Sequence, residues 1–180
     1  MIRTIDSYSQ LVISLRSMLI DVSELRSELV KNGLSPDGSD LSEQLTTNIL
    51  TAVGIKNAVI VFYVNESETP DNVSMDEDVS ISSYQSYSMH VIVYGLAGQM
   101  LAHKIKARFE SSSIREQLYR DGIHLVAVSS ISDGTEFIND VMWPRKDFDI
   151  DVSVRYSISK TSDSSKIESA KLDGVYVDYP

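Results

Sequence analysis

The chain has 180 residues, of which 42% are hydrophobic and 23% are charged, a composition typical of one folded globular domain. Its 26 acidic and 16 basic residues give a formal net charge of −10, which argues against a broad nucleic-acid or anionic-lipid surface, because phosphate contacts need Lys and Arg. No cysteine, long apolar run or signal peptide occurs, so we expect no disulfide, no thiolate chemistry and no membrane association.

The first 54 residues are predicted to be helical. Apolar residues in the segment 7–31 recur at spacings of three and four, which predicts one helix, with Ser7 capping its start and Gly33 beyond its end. A second helix is predicted from Asp40, as its N-cap, to Gly54. The first stripe could bind a partner helix, but its length favours packing on its own domain. The stripe consists of Leu11, Leu15, Met18, Leu19, Val22, Leu25 and Leu29.

Two strands and an intervening loop follow. Residues 58–64 are a nearly continuous run of β-branched and aromatic residues, which predicts a buried strand. Residues 79–94 alternate in part and are predicted to pair antiparallel with it. Residues 65–78 are polar and acidic, which predicts an exposed loop. This loop is either simply solvated or a contact arm of an oligomer, and its acidic residues are Asp71, Asp76, Glu77 and Asp78.

Two helices and further elements are predicted in the second half. Residues 96–109 have an apolar ladder with four-residue spacing, and Ser113 with Glu116 forms a capping box that opens a short helix. Residues 123–131 predict a strand. Asp133 and Gly134 predict a turn, and residues 135–142 an irregular link.

The most regular strand pattern lies at residues 147–158. Six apolar or aromatic residues alternate there with polar ones, which predicts a half-buried strand. Residues 160–180 are predicted to be a C-terminal arm, whose short strand contains Tyr176 and Tyr179 and suits a sheet edge or a neighbouring subunit. The whole chain, 1–180, is therefore predicted to be one α+β domain: an antiparallel or mixed sheet covered on one face by helices and preceded by a helical segment.

The sequence lacks the common signatures of catalysis. It contains no phosphate-binding glycine motif, no nucleophile elbow and no HExxH zinc motif, and its three histidines have no ligand spacing. We therefore expect no enzymatic activity and no cofactor or metal. The row Asp147, Asp149 and Asp151 has three interpretations: a Mg²⁺ or Ca²⁺ site of a metal-dependent enzyme, the wet face of a sheet, or an acidic wall facing a channel. Because a straight strand spreads its side chains apart, it is a poor metal site by itself.

The order of features from Tyr94 onward resembles the tail terminator, or neck, proteins of bacteriophages. The resemblance covers residues 58–158 and is strongest over 94–158. It depends on order and spacing and on no catalytic signature. The segments that carry it are Tyr94-Gly95, the helix 96–109, Ile114-Arg115-Glu116-Gln117-Leu118, Gly122-Ile123-His124-Leu125, Trp143 with Arg145, Phe148-Asp149-Ile150-Asp151-Val152, and Tyr156.

The resemblance implies a structural virion protein. In that family an α+β domain closes into a hexameric ring, which caps the tail tube and meets the head-side connector, while DNA passes through the lumen without specific binding. It implies contacts with sister subunits, the tube protein, the neck proteins and the sheath, with assembly in the host cytoplasm. Trp143 and Arg145 then look like subunit or core anchors, and the loop 65–78 and the C-terminal arm like docking arms. Another phage connector, for head or tail completion, is the alternative.

Overall fold

The computed structural model describes residue 5 and residues 7–33, 50, 52–67, 72–75, 80–138 and 140–159, with the backbone alone at 72–75, 80–83 and 156–159. The helices in this part of the chain include α1 (Tyr8–Ser23), α2 (Gly98–Phe109) and α3 (Ser112–Arg120), and a 3₁₀ turn spans Ser27–Leu29. The strands are β1 (Val30–Asn32), β2 (Val59–Glu66), β3 (Asn72–Met75), β4 (Ser80–Tyr94), β5 (Ile123–Val128), β6 (Ser132–Ile138) and β7 (Val141–Ser159).

Two long antiparallel strands form the centre of the sheet. β4 pairs with β7 along its whole length, from Ser80 opposite Ser159 to Tyr94 opposite Arg145. β2 pairs antiparallel with the last half of β4, β1 pairs parallel with β2, and β3 pairs with the first part of β4. β5 and β6 pair with different parts of β7, which gives the order β1-β2-β4-β7-β5. The predicted α+β architecture with a mixed sheet is therefore confirmed.

The helices cover one face of this sheet. Residues that alternate along β4 and β7 point toward them, and the fully buried side chains there include Met89, Ile150 and Phe148. Ile105 and Phe109 of α2 and the apolar stripe of α1 pack on this face. Full burial of each such side chain stabilises the fold by about 1.5–3 kcal/mol, so this layer is the main core.

A second, smaller apolar cluster covers one end of the opposite face. It explains why β2 lacks alternation: Val59 and Val61 face the second cluster, whereas Ile60 and Phe62 face the helices. A strand that is buried on both faces reads as a continuous apolar run. The members of the second cluster are Leu50, Val59, Val61, Ile92, Tyr94, Ile138 and Trp143.

The predicted helix 7–31 is too long. Ser7 caps α1, as predicted, by accepting a hydrogen bond from the Gln10 N–H at 3.2 Å. The helix ends at Ser23, because Glu24 takes a left-handed conformation (φ 59°) and its N–H bonds to the Ile20 carbonyl. Leu25 and Leu29 keep the helical spacing because they pack against the two clusters after the chain has left the helix.

The predicted irregular link at 135–142 is wrong. Residues 132–138 form β6, which pairs with the start of β7 down to Ile138 opposite Val141, and Asp140 lies in the turn between them. Asp140 in that turn has φ 60°, a left-handed conformation that Asp tolerates better than most residues. The predicted turn at Asp133 and Gly134 is therefore part of a strand, where a side chain on Gly134 would crowd Arg145.

Smaller differences concern the boundaries of elements. α3 begins after Ser111, which makes no side-chain capping bond, so the predicted capping box at Ser113 is wrong. β5 ends at Val128, three residues earlier than predicted. Asn72–Met75 is strand β3, within the segment predicted as a loop. Leu50, Ala52 and Val53 are helical and Gly54 has φ 79°, whereas positions 40–49 and 51 of the predicted second helix lie outside the described residues.

Candidate assembly surfaces

Trp143 lies near the start of β7 and is 5% exposed. Its side chain belongs to the second cluster, together with Ile92 of β4 and Ile138 of β6. It therefore anchors the β6–β7 hairpin to the sheet within the subunit. Its role at a subunit interface stays a prediction.

Arg145 is the hub of a polar network beside that cluster. Its Nε lies 3.0 and 2.9 Å from the two carboxylate oxygens of Asp147, and its Nη2 donates to Asp147 Oδ2 at 2.6 Å. Its Nη1 donates to Glu136 Oε2 at 3.0 Å. Tyr94 donates its hydroxyl proton to the same Glu136 oxygen at 2.7 Å. The network therefore joins β4, β6 and β7 at the end of the sheet.

The network shifts the ionisation of two of its members. Burial raises the pKa of Tyr94 well above its usual range, and the hydrogen bond to the Glu136 carboxylate raises it further, because an ionised phenol there would face a negative charge. The hydrogen bonds to Asp147 raise the pKa of Arg145 above its ordinary value. Both residues are therefore held in the protonated form, and the guanidinium is occupied by carboxylates of its own chain.

The acidic row lies on the sheet face opposite the helices, as the alternation predicted. Asp147, Asp149 and Asp151 stand opposite Ile92, His90 and Ser88 of β4. Asp147 is bound by Arg145, and Asp149 Oδ1 lies 2.7 Å from the Nδ1 atom of His90. For Asp151 no hydrogen bond or ion pair is found within the described part of the chain.

The same geometry bears on metal binding. Within the described ranges, no three His, Asp or Glu side chains come close enough together to hold a metal ion. Instead, Asp147 and Asp149 each face a nitrogen of a different neighbour, Arg145 and His90. In the described residues, two of the three carboxylates of the row therefore contact side-chain nitrogens of neighbouring residues.

The predicted contact arms cannot be placed. Asp71, Asp76, Glu77 and Asp78 of the acidic loop lie outside the described residues, as do Tyr176 and Tyr179 of the C-terminal arm. Their role in contacts between proteins stays a prediction.

One exposed apolar feature was missed by the sequence analysis. Phe137 on β6 and Met142 on β7 stand opposite each other in the hairpin register and are 74% and 55% exposed. We call this pair the hairpin knob. The signal in the sequence is two apolar pairs, Phe137-Ile138 and Val141-Met142, on either side of the dipeptide Asn-Asp. That dipeptide is a weaker hairpin signal than Asn-Gly or Asp-Gly.

An apolar groove of about 460 Å³ opens at the other flank of the sheet. Leu25 and Leu29, which follow α1, line it together with Val53 and with Leu101 of α2. Arg26 also lines it and has a largely exposed side chain that pairs with Glu28 at 3.3 Å. We call this surface the flank groove.

Comparison with known proteins gives one positive result. The family model described as "Phage neck terminator protein" matches residues 37–178, which include most of the sheet, α2, α3 and the β6–β7 hairpin. No curated protein matches the chain. Among the helices of the described ranges, none has the length and apolar character needed to cross a membrane.

Proposed function

Because this chain belongs to the phage neck terminator protein family, we propose that it forms a hexameric ring that caps the completed tail tube and joins it to the head-side connector. The family match over residues 37–178 carries this proposal. At the coarser level, membership gives the chain a structural role in the phage neck, with contacts to other tail and head proteins. The finer claims are our proposals: that the chain forms a ring, that the ring has six subunits, and that it caps the tube. We propose the sheath as a further partner.

A closed ring requires two different complementary patches on each subunit, because every copy contacts one neighbour with each flank. The sheet offers two such flanks, with β1 at one side and β5 and β6 at the other. A stable contact buries about 800 Å² on each partner. We propose that the C-terminal arm and the acidic loop 65–78 contribute to that area or dock on the tube and connector.

We propose that DNA passes through the centre of the ring without being bound specifically. The net charge of −10 supports this role, because a like-charged surface repels the phosphate backbone. We assign Asp149 and Asp151 to the lumen wall together with Asp147. Since Asp147 is paired with Arg145 and Asp149 contacts His90, Asp151 carries the least compensated charge of the row.

Electron microscopy of phage particles assembled without this protein tests the proposed capping. A missing terminator should give tails of irregular, excessive length and heads that are not joined to tails. Tails of normal length that merely fail to join heads would instead favour a head- or tail-completion protein. Normal particles would contradict both roles. We propose that the protein resides in the neck of the finished virion and is assembled there in the host cytoplasm.

A further inference from the structure

The hairpin knob exposes apolar surface on one side of the β6–β7 hairpin. Trp143 and Ile138 of the same hairpin are buried in the second cluster, whereas Phe137 and Met142 point to the other side and remain largely exposed. Neither exposed side chain is needed to hold the hairpin, because the opposite side already anchors it. Aromatic residues and Met are enriched in protein–protein interfaces relative to the rest of the surface, which makes this pair a candidate contact.

The knob and the flank groove lie at the same end of the sheet. β2 begins at Val59, opposite Tyr94 at the end of β4, and Tyr94 in turn lies opposite Arg145. The hairpin projects beyond this point, since β7 starts at Val141. The groove lies at the corresponding place on the other flank, because Leu29 directly precedes β1, which runs parallel to β2.

The two surfaces lie on opposite flanks of the sheet. The groove extends across both layers of that flank, because Leu101 packs against the main core and Leu29 and Val53 pack against the second cluster. In the strand order, β1 and β2 stand on one side of the central pair and β6 on the other. Met142 alternates with Trp143 and is therefore directed to the helix side of the sheet, the side on which Leu101 of α2 lies. Patches at equal height on opposite flanks are what a cyclic ring needs for its repeated contact.

We propose that the hairpin knob of one subunit inserts into the flank groove of the next copy of this chain. This inference rests on the proposed ring and names the contact that closes it. Phe137 and Met142 supply the apolar knob, and Leu25, Leu29 and Leu101 supply the apolar wall. Charge supports a second copy as the occupant: the hairpin turn carries exposed Asp140, and the groove carries Arg26, whose side chain is 80% exposed.

Cross-linking tests the contact directly, because the chain contains no cysteine of its own. Met142→Cys on the knob is combined with Ala52→Cys in the groove, where Ala52 is exposed. A short bis-maleimide reagent should then link the full-length chain into a ladder that ends at the ring number. Each single variant should give no species larger than a dimer. Met142→Cys combined with Val126→Cys, an exposed position on β5, is the matched control and should give no ladder.

A second set of variants measures how much the knob contributes to self-association. Phe137→Ser with Met142→Ser should leave the thermal unfolding midpoint nearly unchanged, because both side chains are exposed, but should weaken self-association roughly tenfold or more. Met100→Ser, at an 83% exposed position on α2, is the control and should leave association unchanged. Asp140→Asn and Arg26→Gln each remove one charge, and Asn tolerates the left-handed backbone at position 140. Each single change should weaken association, and the double variant should associate no more weakly than either of them.

The outcomes separate this inference from the proposed function. Rings in electron micrographs without a cross-linked ladder would overturn the knob-and-groove contact and leave the ring intact. The contact would also be overturned if the knob variant formed rings as well as the wild type and lost tube or connector binding instead, since the knob would then bind another protein. A sample with neither rings nor a ladder would overturn the inference together with the ring on which it rests.

Discussion

Arg145 and Asp147, two residues apart on β7, are joined by three nitrogen–oxygen contacts of 2.6–3.0 Å. Arg145 also contacts Glu136 on β6, so one guanidinium neutralises a carboxylate of the proposed lumen wall and fastens the hairpin that carries the knob. The stability of the hairpin and the charge of the acidic row are therefore coupled through a single side chain.

Replacing Arg145 by Met should lower the free energy of unfolding by about 1–3 kcal/mol, because two carboxylates lose their charged hydrogen-bond partner. Chemical denaturation at neutral pH measures the change. Arg115→Met, at an exposed position on α3, is the control for loss of a positive charge. An equal effect of both substitutions would show that net charge, and not the Arg145 network, accounts for the loss.

Trp143→Ala should destabilise the chain by about 3–5 kcal/mol, as truncation of a buried aromatic side chain generally does. The second cluster loses its largest member, and the hairpin loses its anchor on the sheet. Thermal unfolding of the variant gives the measurement, and light scattering gives its oligomer size. Unchanged stability with reduced oligomer size would assign Trp143 to the interface and contradict its place as a core anchor.

The elements that the sequence predicted best are those whose burial pattern is set by one packed face. The strict alternation predicted at 147–158 correctly gave the side of β7 that faces the helices as far as residue 155, where the described side chains end. Ile150 and Val152 need an apolar partner layer, whereas Asp149 and Asp151 need water or polar partners. The continuous run at 58–64 predicted β2 for the complementary reason, burial on both faces.

The failures have equally specific causes. Apolar spacing could not reveal the end of α1, because Leu25 and Leu29 remain apolar after Glu24 turns the chain. The irregular link was mistaken because β6 is polar and has few buried residues, its stability coming from pairing with β7. The flank groove could not be predicted at all, since it joins residues from distant segments.

Tyr94→Phe should lower stability by about 1 kcal/mol at neutral pH through loss of the hydrogen bond to Glu136. The folded-state pKa of Tyr94 is raised, so this stabilisation is fully present below the unfolded value of 10.0 and is lost as the pH rises further. Above pH 10.0 the free energy of unfolding of the wild type should therefore fall relative to that of the variant, by at most about 1.4 kcal/mol for each pH unit. Urea unfolding between pH 7 and 11 measures the difference, and a constant difference would contradict the raised pKa.

Glu24, at the end of α1, connects α1 to α2 through two salt bridges. Its carboxylate oxygens lie 2.6 Å from Lys104 Nζ and 2.6 Å from a guanidinium nitrogen of Arg108. The hydrogen bond from Lys104 is the main cause that lowers the pKa of Glu24, and the positive charges of Lys104 and Arg108 lower it further. Its contribution to stability is therefore present above its ordinary value of 4.5 and is lost as the pH falls through the lowered folded-state value. Glu24→Gln should give a small decrease in the thermal midpoint at pH 7 that disappears in strong acid and in high salt.

Glu28→Gln is a suitable control for that experiment. Glu28 is also exposed and pairs with Arg26, but it connects no two helices. If Glu28→Gln and Glu24→Gln changed the midpoint equally at every pH, general charge effects and not the bridge between α1 and α2 would explain the result.

Size-exclusion chromatography coupled to light scattering, with electron microscopy of the same fractions, tests the central claim that this chain builds a ring with copies of itself. We predict a particle with the mass of a hexamer and a visible central opening. A mass of one chain at every concentration, with no rings in the micrographs, would contradict the account.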